Sequence, residues 1–296
     1  MKRYKKTIAA SLLILIFFFS KFSFAHNDID EFAQHGGVGE AAFMEHCLKK
    51  GINLINPKDG NSLVHVAIHL NQIDYLVNLI KQGADINLKN NRGISPLHLA
   101  VLLNSIKIVE FLIENGANVN SCSKTGETPL MLALSNRNSI EIFKTLIAHD
   151  ADIHSKNSDG YTVLNLALLY DQIEVFQILV ELGANINSTD SGMTILQHAS
   201  SKGHAEVVKL LIEKGADINF QFKFLSPLHI ASNQGHMEIV KLLIENGADV
   251  NPQFKSPSPY LYESPLDLAL AKGHTAIADF LIENGAVQKT TQYQKL

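Results

Sequence analysis

An all-α repeat solenoid, made of helix-turn-helix units with β-hairpin loops, is the fold class this sequence predicts. Three observations predict it. The phrase Gly-Ala-Asp/Asn-Ile/Val-Asn returns along the chain about every 33 residues. A second phrase, opened by Ser or Thr and continued by apolar residues, recurs in phase with the first. Apolar residues make up 46% of the 296 residues and charged residues 18%, a balance that supports a packed core rather than disorder.

The first phrase is Gly83-Ala84-Asp85-Ile86-Asn87, repeated from Gly116 to Asn120, Gly183 to Asn187, Gly215 to Asn219 and Gly247 to Asn251. A variant, Asp150-Ala151-Asp152-Ile153-His154, fills the gap in the series, and Gly285-Ala286-Val287 closes it. The second phrase is clearest in Ser95-Pro96-Leu97-His98-Leu99-Ala100 and Ser226-Pro227-Leu228-His229-Ile230-Ala231. Related forms begin at Ser62, Thr128, Thr162, Thr194 and Ser264, with successive spacings of 33, 33, 34, 32, 32 and 38 residues.

Each phrase has a mechanical meaning. Ser or Thr caps a helix by accepting from a free backbone N–H. Proline next to it suits the first helical turn, where its missing N–H costs nothing. A short apolar helix follows, then a turn written Gly203-His204, Gly235-His236 or Gly273-His274 in the later repeats. A second helix such as 237–244 carries apolar residues at helical spacing. Gly247 ends it, since glycine accepts the left-handed conformation that a helix C-terminus uses.

The chain resembles the ankyrin-repeat family, whose signature combines these phrases at this period. The resemblance covers seven repeats over residues 59–287, at about 59–88, 92–121, 125–155, 159–188, 191–220, 223–252 and 261–287. It implies units of two antiparallel helices and a hairpin, stacked into a curved solenoid in which neighbours bury what one unit cannot. It also implies that His65, His98 and His229 brace the loops through hydrogen bonds, and that partners bind at the hairpin tips and the concave face of the first helices.

The flanks differ from the repeats. Lys2, Arg3, Lys5 and Lys6 precede an apolar run from Ile8 to Phe19, and Ser23-Phe24-Ala25 ends on small residues. This is the pattern of a secretory signal peptide over 1–25. The competing reading is a membrane anchor, for which twelve apolar residues are short against the roughly 20 a spanning helix needs. Residues 26–58 form an N-terminal capping segment, in which 41–48 reads as a helix and 51–56 as a worn copy of the glycine-asparagine phrase. Residues 288–296 are a polar tail. Loss of 1–25 removes five of 25 basic residues and leaves 29 acidic ones, a net charge of −9. That charge argues against nucleic acid and anionic lipid.

No catalytic, metal or cofactor site is expected, and no small-molecule substrate. The repeat accounts for six of thirteen histidines, namely His65, His98, His229, His204, His236 and His274. His149 and His154 flank one loop without an evident third ligand. Gly36-Gly37-Val38-Gly39 lacks the Lys-Ser/Thr of a phosphate loop. Cys47 and Cys122 belong to different segments and read as free thiols, with intermolecular pairing of Cys122 left open.

The sixth and seventh repeats depart from the pattern. Phe220-Gln221-Phe222-Lys223-Phe224-Leu225 alternates aromatic and polar residues, and Phe224 stands in place of the hairpin glycine. A locally abnormal hairpin is expected there, because phenylalanine resists positive φ. The seventh repeat is longer by about six residues, and Phe254, Pro257, Pro259, Tyr260 and Tyr262 lie in the enlarged loop. Phe220, Phe222, Phe224, Phe254, Tyr260 and Tyr262 are the candidate partner-binding residues. Either they form an exposed patch, with Phe222 and Tyr260 facing solvent or a partner, or the long loop folds over them and buries them.

The expected function is a non-enzymatic protein-protein interaction module exported from the cytoplasm, periplasmic or secreted. A secreted effector that engages host proteins and an inner-membrane scaffold tethered by an uncleaved N-terminal helix are the alternatives. An enzyme with an accessory repeat array is disfavoured, since the repeats leave about 33 residues at the amino end of the mature chain.

Overall fold

The structure is a computed structural model that describes residues 51–53, 55, 59–135, 139–190, 192–223, 225–252 and 264–288. The expected signal peptide, most of the capping segment, Cys47, Gly36–Gly39, the enlarged loop of the seventh repeat and the tail beyond residue 288 lie outside the described residues. So do Phe224, Phe254, Tyr260 and Tyr262. The chain divides into two compact units, Met1–Lys124 and Thr125–Leu296.

In the first unit the helices are α1 (Leu63–His69), α2 (Ile73–Lys81), α3 (Pro96–Leu102) and α4 (Ile106–Glu114). In the second they are α5 (Pro129–Ala133), α6 (Ile140–Ala148), α7 (Val163–Leu169), α8 (Ile173–Glu181), α9 (Ile195–Lys202), α10 (Ala205–Glu213), α11 (Pro227–Gln234), α12 (Met237–Glu245), α13 (Pro265–Lys272) and α14 (Thr275–Glu283). Strands β1 (Thr189–Asp190) and β2 (Met193–Thr194) pair antiparallel before α9. Helices so short are not stable alone. The first helix of one repeat packs on the first helix of the next, as α1 on α3 in the first unit and α9 on α11 on α13 in the second.

The caps follow the sequence. Ser95, Thr128, Thr162, Thr194, Ser226 and Ser264 hold extended backbone, and each side chain accepts from the N–H three residues on. The second helices bury an apolar stripe at positions i, i+1 and i+4, for example Val207, Val208 and Leu211 or Ile239, Val240 and Leu243. In α6 and α8 the middle of the stripe is Phe143 or Phe176, the two largest fully buried side chains among the described residues.

Each second helix ends in a left-handed residue. Gly83, Gly116, Gly183, Gly215, Gly247 and Gly285 hold φ between 83° and 90° there. Asp150 takes the same place after α6 at φ 61°, and its backbone still closes the pair of terminal bonds, Asp150 N–H to Ile147 O and Ala151 N–H to Leu146 O, both 3.1 Å. The hairpin of the sixth repeat is abnormal, as expected from Phe224. Phe222 pairs with Leu225, the separation at which Asp190 pairs with Met193 in the fifth hairpin, whereas Asn90 pairs with Ile94 and Asn157 with Tyr161. Lys223, a non-glycine, holds a positive φ of 48° there.

Candidate protein-interaction surface

Three sets of polar contacts join repeat to repeat, and each uses a residue of the recurring phrases. The first set starts at the third helical position after the cap. The Nδ1 of His65 accepts from the Ser62 N–H at 3.2 Å, so the proton is on Nε2, which donates to the Ile94 carbonyl of the next repeat at 3.0 Å. Burial pushes His65 below its ordinary pKa, against the raising effects of the Ile94 hydrogen bond and the charge of Asp59. Gln197 does the same work with an amide: its Oε1 accepts from the Thr194 N–H at 2.9 Å and its Nε2 donates to the Leu225 carbonyl at 2.7 Å. Asn165 caps its own helix, accepting from the Thr162 N–H at 3.0 Å, but it is one methylene shorter than glutamine. Its Nδ2 is buried without a partner.

The second set is an asparagine ladder. The Asn87 carboxamide accepts from the Asn118 N–H at 2.8 Å and donates to the Gly116 carbonyl at 3.1 Å. Asn219 makes the same two bonds to Asp249 and Gly247 at 2.9 and 3.2 Å, and Asn251 makes them to Val287 and Gly285, both at 2.8 Å. Asn187 accepts from the Asp217 N–H at 3.3 Å, and Asn53 of the worn N-terminal phrase accepts from the Asp85 N–H at 2.7 Å.

The third set is at the turn between the two helices. Gly203 and Gly235 cap α9 and α11 in the left-handed region. A Cβ on Gly203 would stand 2.8 Å from the His236 ring, and one on Gly235 would stand 2.7 Å from the His274 ring. Each ring donates its Nε2–H to the carbonyl two residues before the glycine, His236 to Ser201 and His274 to Asn233, both at 3.3 Å. One repeat earlier, Asp171 replaces the glycine at φ 58°, and its carboxylate meets His204 at 3.0 Å and Lys202 at 2.7 Å. Partial burial pushes the Asp171 carboxyl up, but the hydrogen bonds from Lys202 and His204 prevail and hold it below its ordinary pKa. Four of the six repeat histidines, His65, His204, His236 and His274, are thus held by a neighbouring repeat, and His98 and His229 accept from the N–H of their own cap residues Ser95 and Ser226. Among the described residues no group of three His, Cys, Asp or Glu is arranged to hold a metal.

The aromatic candidates are placed in part. Phe220 is half-buried, and its carbonyl accepts weakly from Gln197 Nε2 at 3.4 Å. Phe222 is half-buried too, with its ring where a Cβ of Gly192 would be, so the preceding hairpin is its seat. The Lys223 ammonium lies 5.1 Å from the centre of that ring, and Gln221, Lys223 and Leu225 beside it are exposed. Cys122 is exposed and its thiol faces the Asn120 carbonyl at 3.7 Å.

A family model described as ankyrin repeats in three copies matches residues 33–122, 63–157, 130–222 and 221–292. The chain belongs to the ankyrin-repeat family. Among solved structures it is similar to the ankyrin repeat domain of Bcl-3, described as a unique member of the IkappaB protein family, with a TM-score of 0.63 and 30% identity over 75% of this chain and all of that domain. It is also similar to the ankyrin repeat domain of human ASB11, with a TM-score of 0.61 and 28% identity over 76% of this chain and 98% of that one. No curated protein matches the chain. Ankyrin repeats generally mediate protein-protein interactions and are typically non-enzymatic. No described helix is long and apolar enough to cross a membrane.

One surface feature escaped the sequence reading. A cleft of about 110 Å³ lies between the loops of the third and fourth repeats, lined among others by Ile153, His154, Lys156, Asn185 and Ser188. Its signal in the sequence was the change from asparagine to histidine at 154, the end of the variant phrase.

Proposed function

We propose that this ankyrin-repeat protein is exported and acts as a non-enzymatic binding module for a partner protein. Contact is made at the hairpin tips and the face of the first helices, centred on Phe220, Phe222, Phe224, Phe254, Tyr260 and Tyr262. The observation that carries this reading is the sixth hairpin. It holds Lys223 at positive φ, it seats the Phe222 ring on Gly192, and it keeps Leu225 41% exposed with Lys223 over the ring. A rigid, half-exposed aromatic beside a cation is a side chain that binds at low entropic cost. Export is supported by the basic start, the apolar run Ile8–Phe19 and the small residues at Ser23 and Ala25.

Affinity purification from the native cell, comparing the wild type with a Phe222→Ala, Tyr260→Ala double variant, tests the binding face. The expected result is a co-eluting protein that the variant loses while its melting is unchanged. Lost stability with binding intact would overturn the patch. Sequencing the mature amino terminus tests export. A chain starting at His26 is expected, and one starting at Met1 would make it a membrane-tethered scaffold.

A further inference from the structure

The asparagine ladder lacks one rung inside the second unit. At the step from the third repeat loop to the fourth, His154 stands where Asn219 and Asn251 stand in the later repeats. The His154 backbone N–H bonds Asp152 at 2.8 Å, as Asn219 and Asn251 bond Asp217 and Asp249, but among the described residues no side chain accepts from the Asn185 N–H or donates to the Gly183 carbonyl. These are the two groups that the later asparagines satisfy through Asp249 with Gly247 and Val287 with Gly285. The cleft of about 110 Å³ opens at this step. It holds several water volumes at about 30 Å³ each, room for a carboxamide and the carbon that carries it. Ser188 lines it, only 6% exposed, and its hydroxyl has no hydrogen-bond partner. A buried hydroxyl without a partner is costly, and a ligand group that reaches it recovers that cost.

We propose that this cleft binds the side-chain carboxamide of an asparagine or glutamine on a partner polypeptide, which completes the missing rung. The amide oxygen accepts from the Asn185 N–H and from the Ser188 hydroxyl. The amide nitrogen donates to the Gly183 carbonyl. The same pattern, built from the chain's own residues, is seen where Asn219 meets Asp249 and Gly247. Selectivity follows from the donor. A carboxylate can accept from Asn185 but cannot donate to the Gly183 oxygen, and the Asp152 carboxylate already occupies the same loop through bonds from His154 and Ser155. Lys156 at the cleft is the feature that would favour a carboxylate instead, which makes the comparison of the amide with the acid decisive. The inference rests on the chain being a polypeptide-binding module, but its test uses small probes and needs no partner.

The experiment titrates the full-length ¹⁵N-labelled chain with acetyl-asparagine methylamide, and in parallel with acetyl-aspartate methylamide and acetyl-leucine methylamide. The asparagine probe is expected to shift the Asn185 amide resonance saturably, with affinity near about 1 mM for so small a ligand. The aspartate probe is expected to bind about tenfold or more weakly, and the leucine probe not at all. His154→Asn rebuilds the rung from within, so that variant should melt higher and lose the shift. Ser188→Ala should weaken the shift without unfolding the chain. No saturable shift with the asparagine probe, equal binding of the aspartate probe, or a shift retained in His154→Asn would each overturn the proposal. Any of these outcomes leaves the capture experiment on the aromatic hairpin unaffected, and failure of that capture leaves this titration readable.

Discussion

The segment 150–190 and the segment 215–287 follow the same phrases, yet they close their contacts differently. In the later segment the phrase residues pair with the next repeat: Asn219 and Asn251 make their double bonds, and His236 and His274 lie on the glycines before them. In the earlier segment four of those places are changed. Asp150 replaces a glycine, His154 an asparagine, Asn165 a histidine or glutamine, and Asp171 another glycine. The consequences are a left-handed non-glycine at φ 61°, an absent rung, a buried amide without a partner, and an ion pair of Asp171 with Lys202 in place of ring packing. The difference teaches that the repeat residues are inter-repeat fasteners, and that a change in one shows up as a loss at the neighbour about 30 residues away.

Several substitutions break or sharpen that comparison. The largest effect is expected at Phe176, fully buried at the centre of α8 where the later repeats carry Val208 and Val240. Phe176→Ala should cost about 4 kcal/mol in urea unfolding, against about half of that for Val240→Ala. Equal costs would show that the larger ring does not compensate for the weaker fasteners around it. Asn165→Gln lengthens the short amide to the reach of Gln197 and should raise stability by about 1 kcal/mol. A loss would mean that the fifth hairpin does not present its carbonyl to position 165 as the sixth presents Leu225 to Gln197. Asp150→Gly should gain about 0.5–1 kcal/mol by relieving the left-handed backbone, read as a higher urea midpoint at unchanged slope. The smallest effect is set by pH. His65 and Asn165 hold the same helical position, and burial keeps His65 below its ordinary value. A lowered folded pKa means stability complete above the unfolded value of about 6.5 and lost as pH falls through the folded one. Wild type should therefore lose more melting temperature than His65→Asn on going from about pH 8 to about pH 5.

Much of the fold was legible because caps, helical stripes and glycine stops are local. Ser95, Thr128 and Ser226 cap the helices they open, and Gly247 ends α12 in the conformation its type suggests. The abnormal sixth hairpin was legible too, since Phe224 cannot readily serve as Gly93 or Gly160 do. What it became, a loop with Lys223 turned left-handed and Phe222 seated on Gly192, was not. That outcome depends on a residue thirty positions earlier, which no local pattern exposes. The cleft at His154 was missed for the same reason. The change of asparagine to histidine was visible, but its meaning lay in Asn185 and Ser188. Of the six aromatic candidates, Phe220 and Phe222 fall among the described residues.

The turn at Gly203 and His236 has a bearing on how such a chain can change over generations. A repeat entering with His236 needs a predecessor whose turn has no side chain, because the ring takes that volume. The repeat that carries His204 instead follows an aspartate, and its ring nitrogen meets that carboxylate at 3.0 Å. Transplanting the sixth repeat to follow the fourth would drive the His236 ring into the Asp171 side chain unless it swung out to pair with it. The repeats are therefore not interchangeable beads. Their order along the chain is written into the turns, and duplication or deletion is tolerated only where the incoming turn matches the one it meets.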